Sequence, residues 1–552
     1  MFNASPCLRT APSTSPVEVA SQRVRQACAR LVALPGGVLF LLFFAAVAIS
    51  HLTLLHLPYY WDEGGYYIPA ALDFYHTGQL VPHFTNAHPP LPNIVLGTLW
   101  HIVGVHILAT RLAVCAFAAA GLLAVLRLTQ NLLDAPAAVA VTLLTAVYPI
   151  WFAQSTLAHA DIFAAAFTLW AFALYLTWDG SGGPRYAWVA ALFSLAALSK
   201  ETSILQPAAL GALEVGLLFR DRQHPVLRRR HLAWIGALAF PLLPLVAWFA
   251  YHHHVTGFTF GNPEYLRYNA TANLTAAHIL QALRYRFLHL FWQRNIWMPI
   301  VFALACLFLA RRKDAPPSLS PSVRLTIALL IVANWIAFSV LGGALLTRYL
   351  LPIYPLILIV SVDLWRTHTR RWPILAGATA VAFVSALWLN PPTSFAPEDN
   401  LTYRDMIVVH QEAIDFVAAH YPGATVLTAW PVAADLFRPE LGYVKTPIKA
   451  TSIDDFTLAQ IQKAAQEPER YDTAIVFAFH FVSPAFRNYL MTHPNTRRGR
   501  EFAATRDLTP EEIAQMLGGE IVWQDDRGGE WAAVLRFHRS YDARLLALPQ
   551  LR

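Results

Sequence analysis

The chain is 552 residues long and only 14% of it is charged, against about 25% in an ordinary soluble domain. That shortage excludes a protein that is soluble throughout. Cysteine is scarce as well. Only Cys7, Cys28, Cys115 and Cys306 occur, so the polar stretch that ends the chain has no internal disulfide. No Cys-x-x-Cys pair offers a zinc site. There is no Gly-x-Gly-x-x-Gly, no phosphate loop, no internal repeat, and no low-complexity tract beyond the polar first thirty residues. What is abundant is apolar: 56% of the residues are hydrophobic.

Apolar stretches recur up to position 390, at 33–57, 90–107, 109–127, 137–152, 159–177, 187–201, 203–219, 232–251, 296–310, 324–343, 349–365 and 372–389. Crossing a bilayer takes about 17–25 residues, so the pattern predicts a polytopic α-helical membrane protein of about 11–13 helices. The formal net charge is +7. It gathers in "RDRQHPVLRRR" (220–230), "RRK" (311–313) and "RTHTRR" (366–371), which places these loops in the cytoplasm rather than implying nucleic acid. The resulting division has a cytoplasmic polar N-terminus (1–32), a membrane domain (33–390) with outer loops 58–89 and 252–295, and an extracytoplasmic region (391–552). One parity conflict stands between loop 58–89 and Arg220. A break at Tyr148-Pro149, dividing 137–158 into two half-spans, would remove it. Lys200-Glu201 is the other interruption.

After 390 the periodicity changes. "ATVLTAW" (424–430), "DTAIVFAF" (472–479), "IVWQDD" (521–526) and "WAAVLRFH" (531–538) read as strands. Helical stretches lie at 405–420, 455–467 and 509–517, the last opened by a Thr509 cap. Strands alternating with helices predict a small α/β domain, in which nothing reads as catalytic. The aromatic run "FAFHFVSPAF" (477–486) fits a core or a contact surface equally.

The chemistry-bearing residues cluster at one face. Asp62 and Glu63, in "YYWDEGG", follow the first apolar run directly; the plain alternative is a solvated helix end. His88 precedes a rigid Pro-Pro that starts the next span. Asp161 opens a long apolar helix, where an acid is costly unless it faces a cavity or the interface; a favourable helix-dipole position is the bland reading. Lys200 and Glu201 interrupt another apolar run, either pairing with each other or holding phosphate. Arg348 opens "RYLLP", and its planar fork suits a phosphate. Such a set fits a lipid whose phosphate head lies at the membrane surface. Transfer of a sugar from it needs one base and compensation of charge on the leaving phosphate, and in-line attack would invert the anomeric carbon.

In these motifs the chain resembles the GT-C membrane glycosyltransferases, specifically the bacterial group similar to protein O-mannosyltransferases and to the aminoarabinose transferase that modifies lipid A. The matching elements are Asp62-Glu63, "HPPL" at 88–91, Asp161, "SKETSILQP" at 199–207 and "RYLLP" at 348–352, spread over most of residues 31–390. The resemblance implies a polyprenyl-phosphate sugar donor and an envelope acceptor, which is a protein hydroxyl, a lipid-linked glycan or lipopolysaccharide. It implies Asp62 as catalytic base and Asp161 as the second acid of the cavity; Glu63, which points differently from its neighbour, is the weaker candidate acid, its alternative being to orient the loop or help hold the acceptor. Lys200, Arg348 and the adjoining Tyr349 would hold the donor phosphate. In the aminoarabinose enzyme a metal-holding glutamate precedes a lysine-proline; here Ala87 and His88 stand there, which argues against transfer of aminoarabinose to lipid A. A divalent metal held by His88 with His253, His254 or His278 stays open, and no other cofactor is implied. The location implied is the inner membrane. The rival classes are a secondary transporter, disfavoured by the missing repeat, and a non-enzymatic envelope assembly protein.

Overall fold

A computed structural model describes residues 16–81, 83, 88–177, 184–263, 275–341, 345–391 and 395–537. Cys7 and the rest of positions 1–15, Ala87, and positions 264–274 of the second outer loop lie outside the described residues. Among the described residues four helices are long and apolar enough to cross a membrane: Ile107–Leu132, Glu201–Arg220, Pro225–Thr256 and Pro321–Val340. Gln22–Val32 and Gly36–Ser50 pass the same test as a pair bent by 106°. Shorter apolar helices fill the rest of the membrane part, among them Leu91–Val103, Ala160–Leu176 and Trp372–Ser385. The chain is thus a polytopic α-helical membrane protein with a small sheet at its C-terminal end.

Both expected interruptions are present. Helix Ala135–Val147 stops at Tyr148, which is extended (φ −64°, ψ 125°), and Pro149–Gln154 starts a new short helix. Proline disfavours the helical conformation for the residue before it and cannot donate to the preceding turn. The second break is at Lys200, extended at φ −150° and ψ 121° between helix Pro184–Ser199 and the 3₁₀ turn Glu201–Ile204. The break matters for function, because it turns the Lys200 side chain out of the helical repeat and toward the start of helix Ala160–Leu176.

The C-terminal part is an α/β unit, as the sequence pattern implies. Its strands are β1 (Val426–Ala429), β2 (Ala450–Ile453), β3 (Thr473–Phe477), β4 (Gly519–Arg527) and β5 (Glu530–Phe537), in the order β2-β1-β3-β5-β4. β1 runs parallel to β2 and β3, while β5 is antiparallel to both β3 and β4. β1 and β3 are buried along their whole length, which fits their mostly apolar sequence. β2 is not anticipated by the sequence: its residues alternate between exposed and half-buried on the sheet edge. Thr509 forms the expected cap, accepting from the Glu512 backbone N–H while the Glu512 carboxylate accepts from that of Thr509. Helix Thr402–His420 packs on β4 and β5. Its N-terminal turn follows directly on Glu398-Asp399, which tuck back under the helical bundle.

Candidate active site

The stretch "YYWDEGG" is pinned from several sides. The Tyr59 hydroxyl donates to Thr110 Oγ1 (2.8 Å), and the Tyr59 backbone N–H donates to the Leu441 carbonyl (3.0 Å) in the C-terminal domain. Trp61 has φ +31°, a left-handed conformation that a bulky side chain adopts only when its surroundings force it. Its ring meets Trp430 edge-on (centroids 4.8 Å apart) and Phe479 (5.6 Å). A π-helical turn, Glu63–Tyr67, follows; such turns recur at functional sites. Gly65 is required here, because a Cβ at that position would lie 2.8 Å from the Trp430 ring.

The two adjacent acids go to different places. Successive residues of a helical turn diverge by about 100°. Glu63 points inward and is fully buried, accepting from Arg111 (2.5 Å), the Ala158 N–H (2.6 Å) and the Tyr60 N–H (2.8 Å). Arg111 is equally buried, and donates also to the carbonyls of Thr156 (2.7 Å) and Pro58 (2.9 Å). This pair staples the loop to two helices. Both Glu63 oxygens are thus engaged in holding the loop, in keeping with the alternative that it orients the loop. Asp62 points the other way, onto Arg348.

Arg348 is the hub. It pairs with Asp62 and donates to Glu398 Oε1 (2.5 Å). Its Nε lies 3.3 Å from Asp161 Oδ2, a charge contact without hydrogen-bond alignment. Lys200 donates to the other Asp161 oxygen (2.6 Å), and its ammonium sits over the Tyr349 ring, 3.8 Å from the centroid. Asp62, Asp161, Lys200, Arg348 and Tyr349 thus come together from four separate stretches. Lys200 and Glu201 do not pair with each other. Glu201 accepts instead from His88 Nδ1 (2.9 Å), whose ring stacks on Tyr67.

Two spaces meet at this hub. A narrow one is lined by Asp161, Lys200, Gln206, Phe338, Arg348 and Tyr349. A large one of ≈ 990 Å³ lies between the helical part and the C-terminal domain, with Asp62, Tyr349 and Glu398 on its wall. Burial, with Asp62 adding to it and Arg348 opposing, pushes the Glu398 carboxyl up to about 7. On the far wall Glu530 is 1% exposed, and its Oε1 has no hydrogen-bond partner. Burial holds that carboxyl well above the usual range.

The histidines expected to join His88 lie elsewhere. His253 and His254 are exposed on the last turn of helix Leu242–Thr256, with His253 Nδ1 near Thr259 Oγ1 (3.2 Å). His278 sits in the first turn of helix Ala276–Phe291. Among the described residues no group of three or more His, Cys, Asp or Glu side chains is placed to hold a metal ion, so no chemical step is derived through one.

Residues 87–248 match the family model described as dolichyl-phosphate-mannose-protein mannosyltransferase. The apo crystal structure of ArnT from Cupriavidus metallidurans superposes with a TM-score of 0.51 at 14% identity, over 91% of this chain and 98% of that one. The chain has the GT-C glycosyltransferase fold. The same ArnT bound to undecaprenyl phosphate gives a TM-score of 0.49 at 15% identity, over 90% of this chain and 97% of that one. The archaeal oligosaccharyltransferase AglB from Archaeoglobus fulgidus, in complex with an inhibitory peptide and a dolichol-phosphate, gives 0.43 at 10%, over 93% and 75%. No curated protein matches the chain significantly. The fold agrees with the resemblance seen in the motifs.

Three residues at or beside this candidate site were not singled out in the sequence. Arg111 carried a signal, as a lone arginine inside an apolar helix. Glu398 carried a weaker one: "PED" follows the last apolar stretch much as "WDE" follows the first. Glu530 carried none, because nothing in a hairpin sequence says that its second strand opens onto a cavity.

Proposed function

We propose that the chain is an inverting glycosyltransferase, moving a sugar from a polyprenyl-phosphate donor to a hydroxyl of an envelope acceptor. The observation that carries this reading is the Arg348 hub, with Asp62 facing a roomy cavity on one side and Lys200 lining a narrow one on the other. The acceptor enters the large space and the donor phosphate the narrow one. Asp62 takes the acceptor proton, and the hydroxyl oxygen forms a bond to the anomeric carbon. The bond from that carbon to the phosphate oxygen breaks, and the departing phosphate carries the electron pair toward Lys200 and Arg348. Phosphate leaves well without a proton, so a single base suffices. Binding of a phosphate competes for Arg348 with its carboxylates, which loosens Asp62 from its ion pair and leaves it free as a base. Asp161 positions Lys200.

The three basic clusters support a multi-pass protein of the inner (plasma) membrane with residues 391–552 and the site outside the cytoplasm. Asp62→Asn keeps the shape and removes the base. Transfer of labelled sugar from a polyprenyl-phosphate donor by the purified variant should fall by about 10²–10⁴-fold, with donor binding retained. Substantial turnover by Asp62→Asn, beside a dead Asp161→Asn, would assign the base to Asp161 instead.

A further inference from the structure

We infer that the large cavity is a saccharide-binding cleft whose acceptor is a glycan free of phosphate and carboxylate groups at its accepting end. This rests on the transferase reading above and names the acceptor class for that same site.

Three observations converge. First, the cleft has an aromatic wall. Trp61, Trp430 and Phe479 contact one another and stay half-buried, each presenting part of its ring to the ≈ 990 Å³ space. Trp61 is held there by a backbone conformation with φ +31°. Flat apolar rings beside polar groups match the alternating C–H faces and hydroxyl edges of a pyranose, which has both characters in one ring.

Second, apart from His480 the charged side chains of the wall are acids among the described residues. Asp62, Glu398, Asp454, Asp455 and Glu530 line the cleft, and no lysine or arginine does so among the described residues. The basic group that is present, His480, is tied through Nδ1 to Asp507 (2.9 Å). Carboxylate oxygens accept from sugar hydroxyls and repel phosphate or carboxylate substituents, so the cleft selects by repulsion as well as attraction. The cationic pair Lys200 and Arg348 sits behind this wall, on the donor side.

Third, Glu530 is an acid with an unused oxygen. It is 1% exposed, lines the cleft and has no partner for Oε1. Leaving a buried polar atom without a partner is costly, and a ligand hydroxyl would satisfy it. The unpartnered oxygen can accept from a sugar hydroxyl at the cleft wall.

The test uses full-length Asp62→Asn protein in lipid nanodiscs, so that nothing turns over. The probes are trimannose, tri-N-acetylglucosamine, the same two trisaccharides carrying a terminal phosphate monoester, and a serine/threonine-rich peptide. Binding is read by saturation-transfer NMR with titration. At least one neutral trisaccharide should bind, and its phosphorylated form at least about tenfold more weakly. Trp430→Ala and Glu530→Ala should each weaken the neutral trisaccharide about tenfold, while Glu530→Gln stays within about threefold. Equal or tighter binding of the phosphorylated forms overturns the inference, as does binding of the peptide alone or of no saccharide. Undecaprenyl phosphate is titrated in parallel. If it fails to bind while a trisaccharide does, the donor assignment fails and the cleft assignment survives.

Discussion

Glu63→Ala separates an anchor from a catalyst. Glu63 and Arg111 are both fully buried, and the carboxylate accepts three hydrogen bonds, from Arg111 and from the Ala158 and Tyr60 N–H groups. Truncation leaves the Arg111 charge with carbonyl partners only, and two buried N–H groups with none. Breaking one half of a buried ion pair costs about 3–5 kcal/mol. Glu63→Gln keeps an acceptor oxygen and most of the shape, and should cost about 1–3 kcal/mol, in the range for one charge-assisted hydrogen bond. Replacing both partners by apolar residues, as in Glu63→Leu with Arg111→Met, removes the stranded charge and should recover much of the loss. The assay is thermal unfolding of the detergent-solubilised full chain, followed together with transfer activity in the fraction still folded. The expected order of thermal midpoints is wild type, then the double variant and Glu63→Gln, then Glu63→Ala, with activity per folded molecule falling much less than for Asp62→Asn. A Glu63→Ala protein with an unchanged midpoint and no activity would refute the anchor role and return Glu63 to the chemistry.

Two more variants probe the neighbourhood of the base. Glu398 faces Arg348, Asp62, Asp399 and Tyr60, and its carboxyl is pushed from the ordinary 4.5 up to about 7. The folded state therefore keeps a proton that the unfolded chain has lost, and stability from this group falls as pH rises between about 4.5 and 7. Glu398→Gln should flatten that limb of the stability-versus-pH curve, and an unaltered curve would show that Glu398 titrates normally. Gly65→Ala would bring a methyl 2.8 Å from the Trp430 ring; with no rotamer to relieve it, the change should cost about 1–3 kcal/mol and weaken transfer, both measurable on the solubilised protein. A normal midpoint and normal transfer would mean that the Trp61–Trp430 wall yields freely.

The sequence by itself determined those features that depend on local pattern and on the cost of charge in apolar surroundings. Long apolar stretches dictate membrane helices. Pro149 breaks one of them whatever it packs against, since the break is written in a missing N–H and a ring clash. Mostly apolar runs mark β1 and β3 as buried strands, and Thr509 with Glu512 specifies its own cap. The acids and cations at the helix ends were legible because a charge there needs a reason, and Asp62, Asp161, Lys200 and Arg348 do meet. Pairing was not legible, because it depends on distance between residues far apart in the chain. Asp62 and Glu63 are neighbours with the same chemistry, and only the turn after Trp61 sends one to Arg348 and the other to Arg111. Lys200 and Glu201 look like a pair in the sequence, yet they diverge to Asp161 and His88 for the same geometric reason. The edge strand β2 has too little apolar patterning to declare itself. Glu398, Glu530 and Trp430 become parts of the site only because the C-terminal domain closes over the helical part and forms a cavity there. Burial and partners created by that closure, and not residue type, give these side chains their character.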